Sequence, residues 1–456
     1  MQHVPSIQRR PSFNGFPFGL MQRFAAVLLA FAAAGNTALA VHTNLTAKAE
    51  LSLKETYDSN VYIQDEEPAP ANVAAAEAAG LNPVEAKKES FVTSIVPKVG
   101  LDYKPCSGFN VSLAYAPEIT FYHSASSEDY VAHRGTLNLS GRWEKATWEL
   151  LNTAAYVDGD DLGPTFARPG DVPAIGGIPL RDRRDAFVFR NGFKFTVPAG
   201  DFFVRPVATT YFHDFKTAQL ASGTGFVYEN YIDRQDINGG LDLGYKVAEK
   251  TSVIVGYRFG SQEQFKLLGD NSPYDSTYHR VLVGIEGSPA KWLKLAVLGG
   301  PDIRDFSSRA QQTYPGFDDS EMLYWIDASV TLLPTANDSV TLMNRRYEQP
   351  AFSSFSVYED ITYDITWKHK FDDHWSASAG FRLYIGDWQA PVQREDWIYT
   401  PVVGLTYAHN RHLSAELAYA YDWVENKAGT STAQTQFAEG REYTRHLVSL
   451  GVKYAF

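Results

Sequence analysis

Residues that could catalyse a reaction or bind a metal occur in this sequence, but they are not grouped in a catalytic pattern. No serine stands in a G-x-S-x-G setting, and no glycine-rich phosphate loop or dinucleotide fingerprint occurs. The eleven histidines are scattered, and His369 and His374 flank one short turn while His409 and His412 flank another. The sequence therefore predicts no enzyme, no metal site and no cofactor.

Two smaller features also lack the pattern of a functional site. Cys106 is the single cysteine, so no intrachain disulfide can form, and we interpret it as an incidental turn residue. One acidic cluster consists of Asp58, Asn60, Asp65, Glu66 and Glu67. It lacks the spacing of a twelve-residue calcium loop, and weak calcium binding there stays an alternative.

The N-terminal region carries an export signal. From Met21 the chain has one arginine, an apolar stretch that ends at Ala34, and the triplet ALA at 38–40, a pattern typical of a secretory signal peptide. We expect residues 1–40 to be removed, with Met21 as an alternative start. Removal takes away three of the 41 basic residues and none of the 53 acidic ones, which leaves a net charge of -15. This charge disfavours nucleic acid as a partner.

Long segments after the signal alternate between apolar and polar residues. In the segment 413–423 one face carries Leu413, Ala415, Leu417, Tyr419, Tyr421 and Trp423, as expected for a strand with two different faces. Several such runs reach the length of about 9 to 11 residues that a tilted membrane strand needs. Beyond residue 40 no apolar stretch is long enough for a membrane helix, which excludes a helical membrane protein.

About eighteen such runs, with sixteen as the alternative, can be counted in residues 41–456. Tight turns alternate with long polar connections near 58–90, 158–183, 215–227, 266–276, 306–320 and 426–440. Short periplasmic turns and long extracellular loops are typical of outer-membrane barrels. The sequence therefore predicts an all-β fold, a closed antiparallel transmembrane β-barrel in the bacterial outer membrane.

The chain ends on aromatic residues. Ser449, Gly451, Tyr454 and Phe456 form a polar-x-Gly-x-x-aromatic-x-aromatic arrangement. It resembles the C-terminal signal by which bacterial outer-membrane barrels are recognised by their assembly machinery. The resemblance implies an outer-membrane location, in contact with outer-membrane lipid, and a pore-like architecture.

A second resemblance lies in the first strand. The stretch LKETYDSNVY, residues 53–62, resembles the first strand of the beta-barrel porin 2 family, some members of which accompany exopolysaccharide operons. This resemblance implies a pore-like barrel and adds polysaccharide export as an alternative function. It carries no substrate or catalytic residue with it.

Charged residues occupy the polar face of the runs, where they would line the lumen. The candidates for the pore lining are Arg134, Arg142, Arg190, Lys194, Arg258, Arg280, Arg345, Arg382, Asp242, Asp327 and Asp364. Basic and acidic residues on this face are nearly balanced, which predicts passage of neutral or weakly charged solutes. The alternative is that these charges pair across strands and only solvate the interior.

A barrel of this width leaves an aqueous channel unless something fills it. Our candidate for a constriction is the loop 158–183, because its prolines and glycines suit a defined irregular path. Its arginines could face acids across the pore, and they are Arg168, Arg181, Arg183 and Arg184. The alternative is an extracellular loop exposed to solvent.

Together these features predict an outer-membrane, porin-like channel for passive diffusion of small hydrophilic solutes. The alternatives are an outer-membrane component of exopolysaccharide export and a structural or adhesive barrel. The sequence does not distinguish a monomer from a trimer. A subunit contact would use the lipid-facing wall, where the same apolar residues suit contact with lipid and with protein.

Overall fold

The computed structural model describes residues 44–61, 89–105, 108–159, 186–216, 232–267, 269–351, 355–390, 393–428 and 443–456. Within these ranges the chain forms eighteen antiparallel barrel strands, which confirms the fold predicted from the alternation. The predicted signal peptide lies outside the described residues, as does nearly all of the loop 158–183.

The strands are long and follow one another in the wall in chain order. They are β1 (Leu45–Asp58), β2 (Ser90–Tyr103), β3 (Phe109–Tyr115 and Glu118–Tyr122), β4 (Tyr130–Trp143), β5 (Ala146–Gly159), β6 (Ala186–Ala199), β7 (Phe202–Phe215), β8 (Arg234–Ala248), β9 (Thr251–Gln264), β10 (Ser276–Ala290), β11 (Leu293–Phe306), β12 (Ser320–Leu332), β13 (Asp338–Pro350), β14 (Val357–Lys370), β15 (Trp375–Trp388), β16 (Arg394–Ala408), β17 (Leu413–Ala428) and β18 (Tyr443–Ala455). A short helix, α1 (Ser308–Thr313), lies in the connection from β11 to β12. The interruption of β3 falls at Pro117, which has no N–H to give to the ladder.

The sheet closes through its first and last strands. β1 pairs with β18 from Glu50↔Ala455 to Asp58↔Leu447, and each other strand pairs with its neighbours in the chain. The N–H of Phe456 donates to the carbonyl of Ala49 at 2.9 Å. The terminal residue therefore belongs to the closing ladder.

The outer surface of the barrel is apolar. On β18 the residues Val448, Leu450, Val452, Tyr454 and Phe456 are all exposed, by 41 to 56%. The residues between them point to the lumen, because successive side chains of a strand face opposite sides of the sheet. Within the described ranges, no helix is both long and apolar enough to cross a membrane.

Most buried side chains lie near one end of the lumen, which we call the loop end because the long connections lie there. The opposite end, with the tight turns, is the turn end. A buried apolar cluster at the loop end contains Ala186, Phe215, Ala351, Tyr358, Tyr384, Trp388, Ile398, Val424 and Tyr443. These residues come from strands on both sides of the barrel, so the lumen is narrowed there.

Two ion pairs join β1 to β18, and they differ in burial. At the loop end, Arg445 donates from two guanidinium nitrogens to Asp58, and both side chains are buried. Nearer the turn end, Lys453 and Glu50 are 2.8 Å apart and half-exposed. We expect Asp58→Asn to lower the free energy of unfolding in detergent by about 3 kcal/mol or more, because it leaves a buried guanidinium without its main partner.

Glu50→Gln is the matched control and should cost less than about 1 kcal/mol, because water screens an exposed pair. Denaturant titration followed by tryptophan fluorescence measures both variants. Equal losses would contradict the expectation that the buried pair stabilises the seam, the pairing of β1 with β18, more than the exposed pair does.

The aromatic C-terminus can be tested separately from the seam. Phe456→Ala removes the last ring of the proposed assembly signal and keeps the backbone bond to Ala49. We expect less folded barrel in the outer membrane, read as heat-modifiable migration on a gel. Phe371→Ala is the control, since Phe371 is 56% exposed against 49% for Phe456 and lies outside the signal. A similar loss for both variants would mean that any exposed aromatic ring on the outer surface has this effect.

Candidate functional site in the barrel lumen

At its loop end the β13–β14 hairpin separates from β12, while β14 stays paired with β15 up to Tyr358↔Trp388. β12 and β13 pair only from Ile326↔Arg346 to Leu332↔Val340, whereas β13 stays paired with β14 up to Pro350↔Val357. We call the part beyond this split, residues 347–351 and 355–360, the inner tip. It lies inside the barrel.

Side chains from other strands bind the backbone of the inner tip. The amide of Gln264 donates to the carbonyl of Ala351 at 2.7 Å, and that of Gln262 donates to the carbonyl of Glu348 at 3.1 Å. Arg304 donates to the same carbonyl of Glu348 at 3.2 Å. β9 and β13 are separated along the wall by three strands, so the glutamine bonds cross the lumen. They supply the partners that the tip lost on leaving β12.

The inner tip also packs against its neighbouring strand and across the lumen. Tyr358 stacks on Trp388, its partner in the β14–β15 ladder, with ring centroids 4.7 Å apart. The same buried cluster includes Ala186 and Phe215, from β6 and β7. The tip therefore connects both sides of the barrel and forms a constriction at the loop end.

A cavity of about 730 Å³ lies below the inner tip. We call it the chamber. Its walls are strands β5 to β13, and Tyr347, Gln349 and Pro350 of the tip contribute to its lining. Its size falls in the range of small-molecule sites, about 300 to 1,000 Å³.

The chamber has more basic than acidic residues in its lining. The seven basic residues are Arg190, Lys194, Arg205, Arg234, Arg258, Arg280 and Arg345, and the four acidic residues are Asp236, Asp242, Glu286 and Asp327. The sequence predicted near balance for the wall as a whole, and the chain has a net charge of -12. The basic excess is therefore local to the chamber.

One group of ion pairs joins four strands low in the chamber. Asp242 accepts from Arg205 at 2.9 Å and lies 2.6 Å from Arg258. Arg205 also donates to both oxygens of Glu286, at 2.9 and 3.0 Å. The shared carboxylate of Asp242 holds the two guanidinium groups close together, where their mutual repulsion would otherwise separate them.

A second group lies higher, against the inner tip. Asp302 accepts from Arg280 at 2.8 Å and from Arg304 at 3.1 Å. Arg304 also approaches the carboxylate of Glu348 to 3.3 Å. The guanidinium of Arg280 lies 3.8 Å from the ring centroid of Tyr278. This group fastens the tip to the wall, and all of these side chains are buried.

A glycine makes room for the ring of Tyr278. A Cβ at Gly260 would lie 2.3 Å from the Tyr278 ring, closer than any real contact. The missing side chain lets the ring lie against β9, and its hydroxyl donates to Asp236 of β8 at 2.7 Å. Gly260 therefore lets the ring lie close against the wall of the lumen.

Two carboxylates beyond the strand ends bind the wall at the loop end. Asp233 accepts the N–H of Phe215 at 2.7 Å, and Asp275 accepts the N–H of Gln264 at 3.1 Å. Burial raises the pKa of both carboxyls, and the accepted N–H partly opposes this rise. These are structural caps on the strands that hold the chamber.

The residues predicted for the pore lining fall into three groups. Those in the chamber are Arg190, Lys194, Arg258, Arg280, Arg345, Asp242 and Asp327. Outside it, Arg382 pairs with Asp364 at 3.2 Å, and Arg134 lies 3.6 Å from Glu118. Arg142 bonds the carbonyl of Glu144 in a tight turn. The arginines of the predicted constriction loop, Arg168, Arg181, Arg183 and Arg184, lie outside the described residues.

Several residues of the site were missing from the predicted set, among them Arg205, Arg304 and Glu348. Arg205 and Arg304 stand at polar-face positions of their strands, so the alternation could have found them. Glu348 could not be found in this way. Arg345, three residues earlier on the same strand, faces the chamber. Because side chains alternate between the two faces, residue 348 is expected on the lipid side, and only the inward turn of the tip buries it.

Among the described residues, no group of three or more histidine, cysteine, aspartate or glutamate side chains could hold a metal ion. The features that decide the type of protein are the closed ladder, the apolar outer surface and the charged lumen. Only a sheet without free edges can expose apolar strands to hydrocarbon on one side and enclose charges on the other. The protein is a bacterial outer-membrane β-barrel.

Comparisons with known proteins give weak similarities. No family model matches the sequence, and no curated protein matches it. The outer membrane protein OpdK from Pseudomonas aeruginosa has 10% identity and a TM-score of 0.43, over 90% of this chain and 99% of that one. OccK9 (OpdG) from Pseudomonas aeruginosa has 10% identity and a TM-score of 0.42, over 90% and 98%. The copper transporter OprC has 10% identity and a TM-score of 0.43, over 91% and 81%. Similarity at this level transfers no substrate to this chain.

The buried hydroxyl of Tyr278 supplies a test of the upper group. Tyr278→Phe keeps the ring under Arg280 and leaves the carboxylate of Asp236 without this donor. We expect a loss of about 1.5 to 3 kcal/mol in the free energy of unfolding, the usual cost for a hydrogen bond to a charged group. Denaturant titration in detergent measures it.

Tyr257→Phe on the neighbouring strand is the matched control. Its hydroxyl bonds His279 at 2.6 Å, but Tyr257 is 44% exposed on the outer surface. We expect a change below about 1 kcal/mol there. A larger loss in Tyr257→Phe than in Tyr278→Phe would contradict a structural role for the buried bond.

Proposed function

We propose that the protein is a porin-like channel for passive diffusion of small hydrophilic solutes across the outer membrane. The inner tip is the constriction, and the chamber below it sets selectivity. The observation that carries this proposal is a charge-lined cavity of about 730 Å³ inside a closed barrel. Polar solutes can cross the membrane through such a charged lumen, whereas they do not cross the apolar region of the bilayer outside the barrel.

The charges of the chamber predict the sign of its selectivity. Three more basic than acidic residues line it, seven against four. Low-dielectric walls strengthen the field of such an excess and raise the local concentration of the opposite ion. We therefore propose that the channel favours anions. The chamber members of the predicted set would act here, while Arg134, Arg382 and Asp364 would line the facing wall.

The alternative of exopolysaccharide export depends on the resemblance of residues 53–62 to the beta-barrel porin 2 family. In that stretch Asp58 pairs with Arg445, and the amide of Asn60 donates to the carbonyl of Thr444 at 3.1 Å. Both contacts join β1 to β18. The polar residues of this stretch therefore have a role in barrel closure, which any function of the barrel requires.

Conductance in a planar bilayer tests the leading proposal. The refolded mature chain should give steady single-channel steps, and a salt gradient should give a reversal potential of the sign expected for anion preference. No current from a barrel that shows heat-modifiable migration would overturn the channel. Current with cation preference would overturn the selecting role of the chamber.

Gln264 offers a test of the constriction. Its amide donates to the carbonyls of Ala351 and Ser356, and its own carbonyl accepts from Ser272. Gln264→Ala removes all three bonds, so we expect a looser inner tip. Mean single-channel conductance should rise by about twofold or more, or open-channel noise should increase, because the narrowest section would widen.

Asn344→Ala is the control for this prediction. Asn344 lies on the same hairpin below the split, and its amide donates to the carbonyl of Thr362 at 3.2 Å. It stands on the outer face of β13, the same face as the exposed Leu342. Its loss should leave conductance unchanged. If Gln264→Ala also leaves conductance and noise unchanged in a folded barrel, the inner tip is not the constriction.

A further inference from the structure

Two carboxyl groups meet above the split between β12 and β13. The backbone ladder of these strands ends at Ile326↔Arg346, yet the carboxyl of Glu348 on the inner tip lies within hydrogen-bonding distance of the carboxyl of Glu321 on β12. Glu321 is the ladder partner of Arg304, and the guanidinium of Arg304 lies 3.3 Å from the Glu348 carboxylate. Both carboxyls therefore lie beside one guanidinium. We call Glu321 and Glu348 the carboxyl pair.

The carboxyl pair is short of hydrogen-bond donors. The Glu348 side chain is fully buried. Within the described part of the chain, no protein donor makes a hydrogen bond to either oxygen of Glu348 or to Oε1 of Glu321. An ionised carboxylate only accepts hydrogen bonds, whereas a protonated carboxyl also donates one. A single proton between the two groups therefore gives each of them a partner and removes their mutual repulsion.

The surrounding charges favour this proton. Three arginines and four more carboxyl groups surround the carboxyl pair, and they are Arg280, Arg304, Arg346, Asp236, Asp302, Glu359 and Asp387. With the pair, six carboxyl groups stand against three guanidinium groups. Asp302 accepts from Arg280 and Arg304, and Glu359 accepts from Arg346 through both oxygens. These arginines are thus already shared with other carboxylates, and a proton on the pair lowers a buried excess of negative charge.

We propose that Glu321 and Glu348 share one proton, and that this proton is a latch that holds the inner tip against β12. The shared proton joins the two strands where their ladder has ended. When it leaves to water, two like charges face each other and the tip moves away from β12. The latched form binds one proton more than the released form, so low pH favours the latch and rising pH releases it. The effect on current rests on the proposed function, whereas the shared proton does not.

Glutamine imitates the protonated carboxyl, because its amide donates a hydrogen bond and carries no charge. Glu348→Gln and Glu321→Gln should therefore keep the tip latched at every pH. Two variants are used so that a folding defect in one of them does not decide the result. Glu50→Gln is the matched control, since Glu50 also faces the lumen but pairs with Lys453 at 2.8 Å near the turn end.

Single-channel conductance of the mature barrel tests the effect of the latch. It is measured in planar bilayers from about pH 5 to about pH 9, the range in which a coupled carboxyl pair can lose its proton. Wild type and Glu50→Gln should conduct about twofold or more better at the upper end, because the constriction widens. Glu348→Gln and Glu321→Gln should keep the lower conductance throughout. A pH response of equal size in all four proteins would overturn the latch.

Two measurements on the folded barrel in detergent do not depend on current. Infrared spectroscopy should show the C=O band of a protonated carboxyl that disappears as the pH rises, and both glutamine variants should lack this band while Glu50→Gln keeps it. The denaturant midpoint of wild type should fall over the same range, and that of the glutamine variants should stay constant. Absence of the band from wild type would overturn the shared proton.

The outcomes separate this inference from the channel itself. A barrel that conducts equally well at both ends of the pH range would keep the channel and lose the latch. A barrel that carries no current, but shows the band and the fall of the midpoint in wild type alone, would lose the channel and keep the latch.

Discussion

Hydrocarbon offers no partner to a backbone N–H or C=O, so a strand that crosses a membrane must pair along both edges. The rest of this structure depends on that constraint. It requires β18 to find β1, and the register from Glu50↔Ala455 to Asp58↔Leu447 shows how the two strands meet. The buried pair of Asp58 and Arg445 and the terminal bond of Phe456 strengthen the same seam. Closure then separates an apolar outer surface from a polar lumen.

Among the residues that the structure describes, the large departure from regular pairing between β12 and β13 builds the candidate site. Above Ile326 and Arg346, β13 no longer pairs with β12 and turns into the lumen. The lost ladder bonds are replaced by side-chain donors, since Gln262, Gln264 and Arg304 bind carbonyls of the inner tip. A buried carbonyl without a hydrogen-bond partner lowers the stability of the fold. These three residues supply such partners and so stabilise the inward path of the tip. The constriction is therefore part of the wall itself.

The chamber below the tip shows how a lumen can concentrate charge without losing stability. Two arginines share Asp242, and two others share Asp302. Each shared carboxylate offsets the repulsion between its guanidinium groups and fixes their direction. Such preorganised groups need little rearrangement when a solute arrives, so binding loses less conformational entropy than it would in a flexible site.

The amino-acid sequence alone determined the strands, the barrel and the lipid-facing surface, because a two-residue period is a local property that each segment carries by itself. It also placed Arg258, Arg280 and Asp242 on the inward face. Only the tertiary structure decided where the lumen narrows and which charges gather in one chamber. Glu348 has the parity of a lipid-facing residue, yet it lies buried beside Arg304. Its position depends on a strand leaving its neighbour, and that depends on donors from β9 and β11, far away in the sequence.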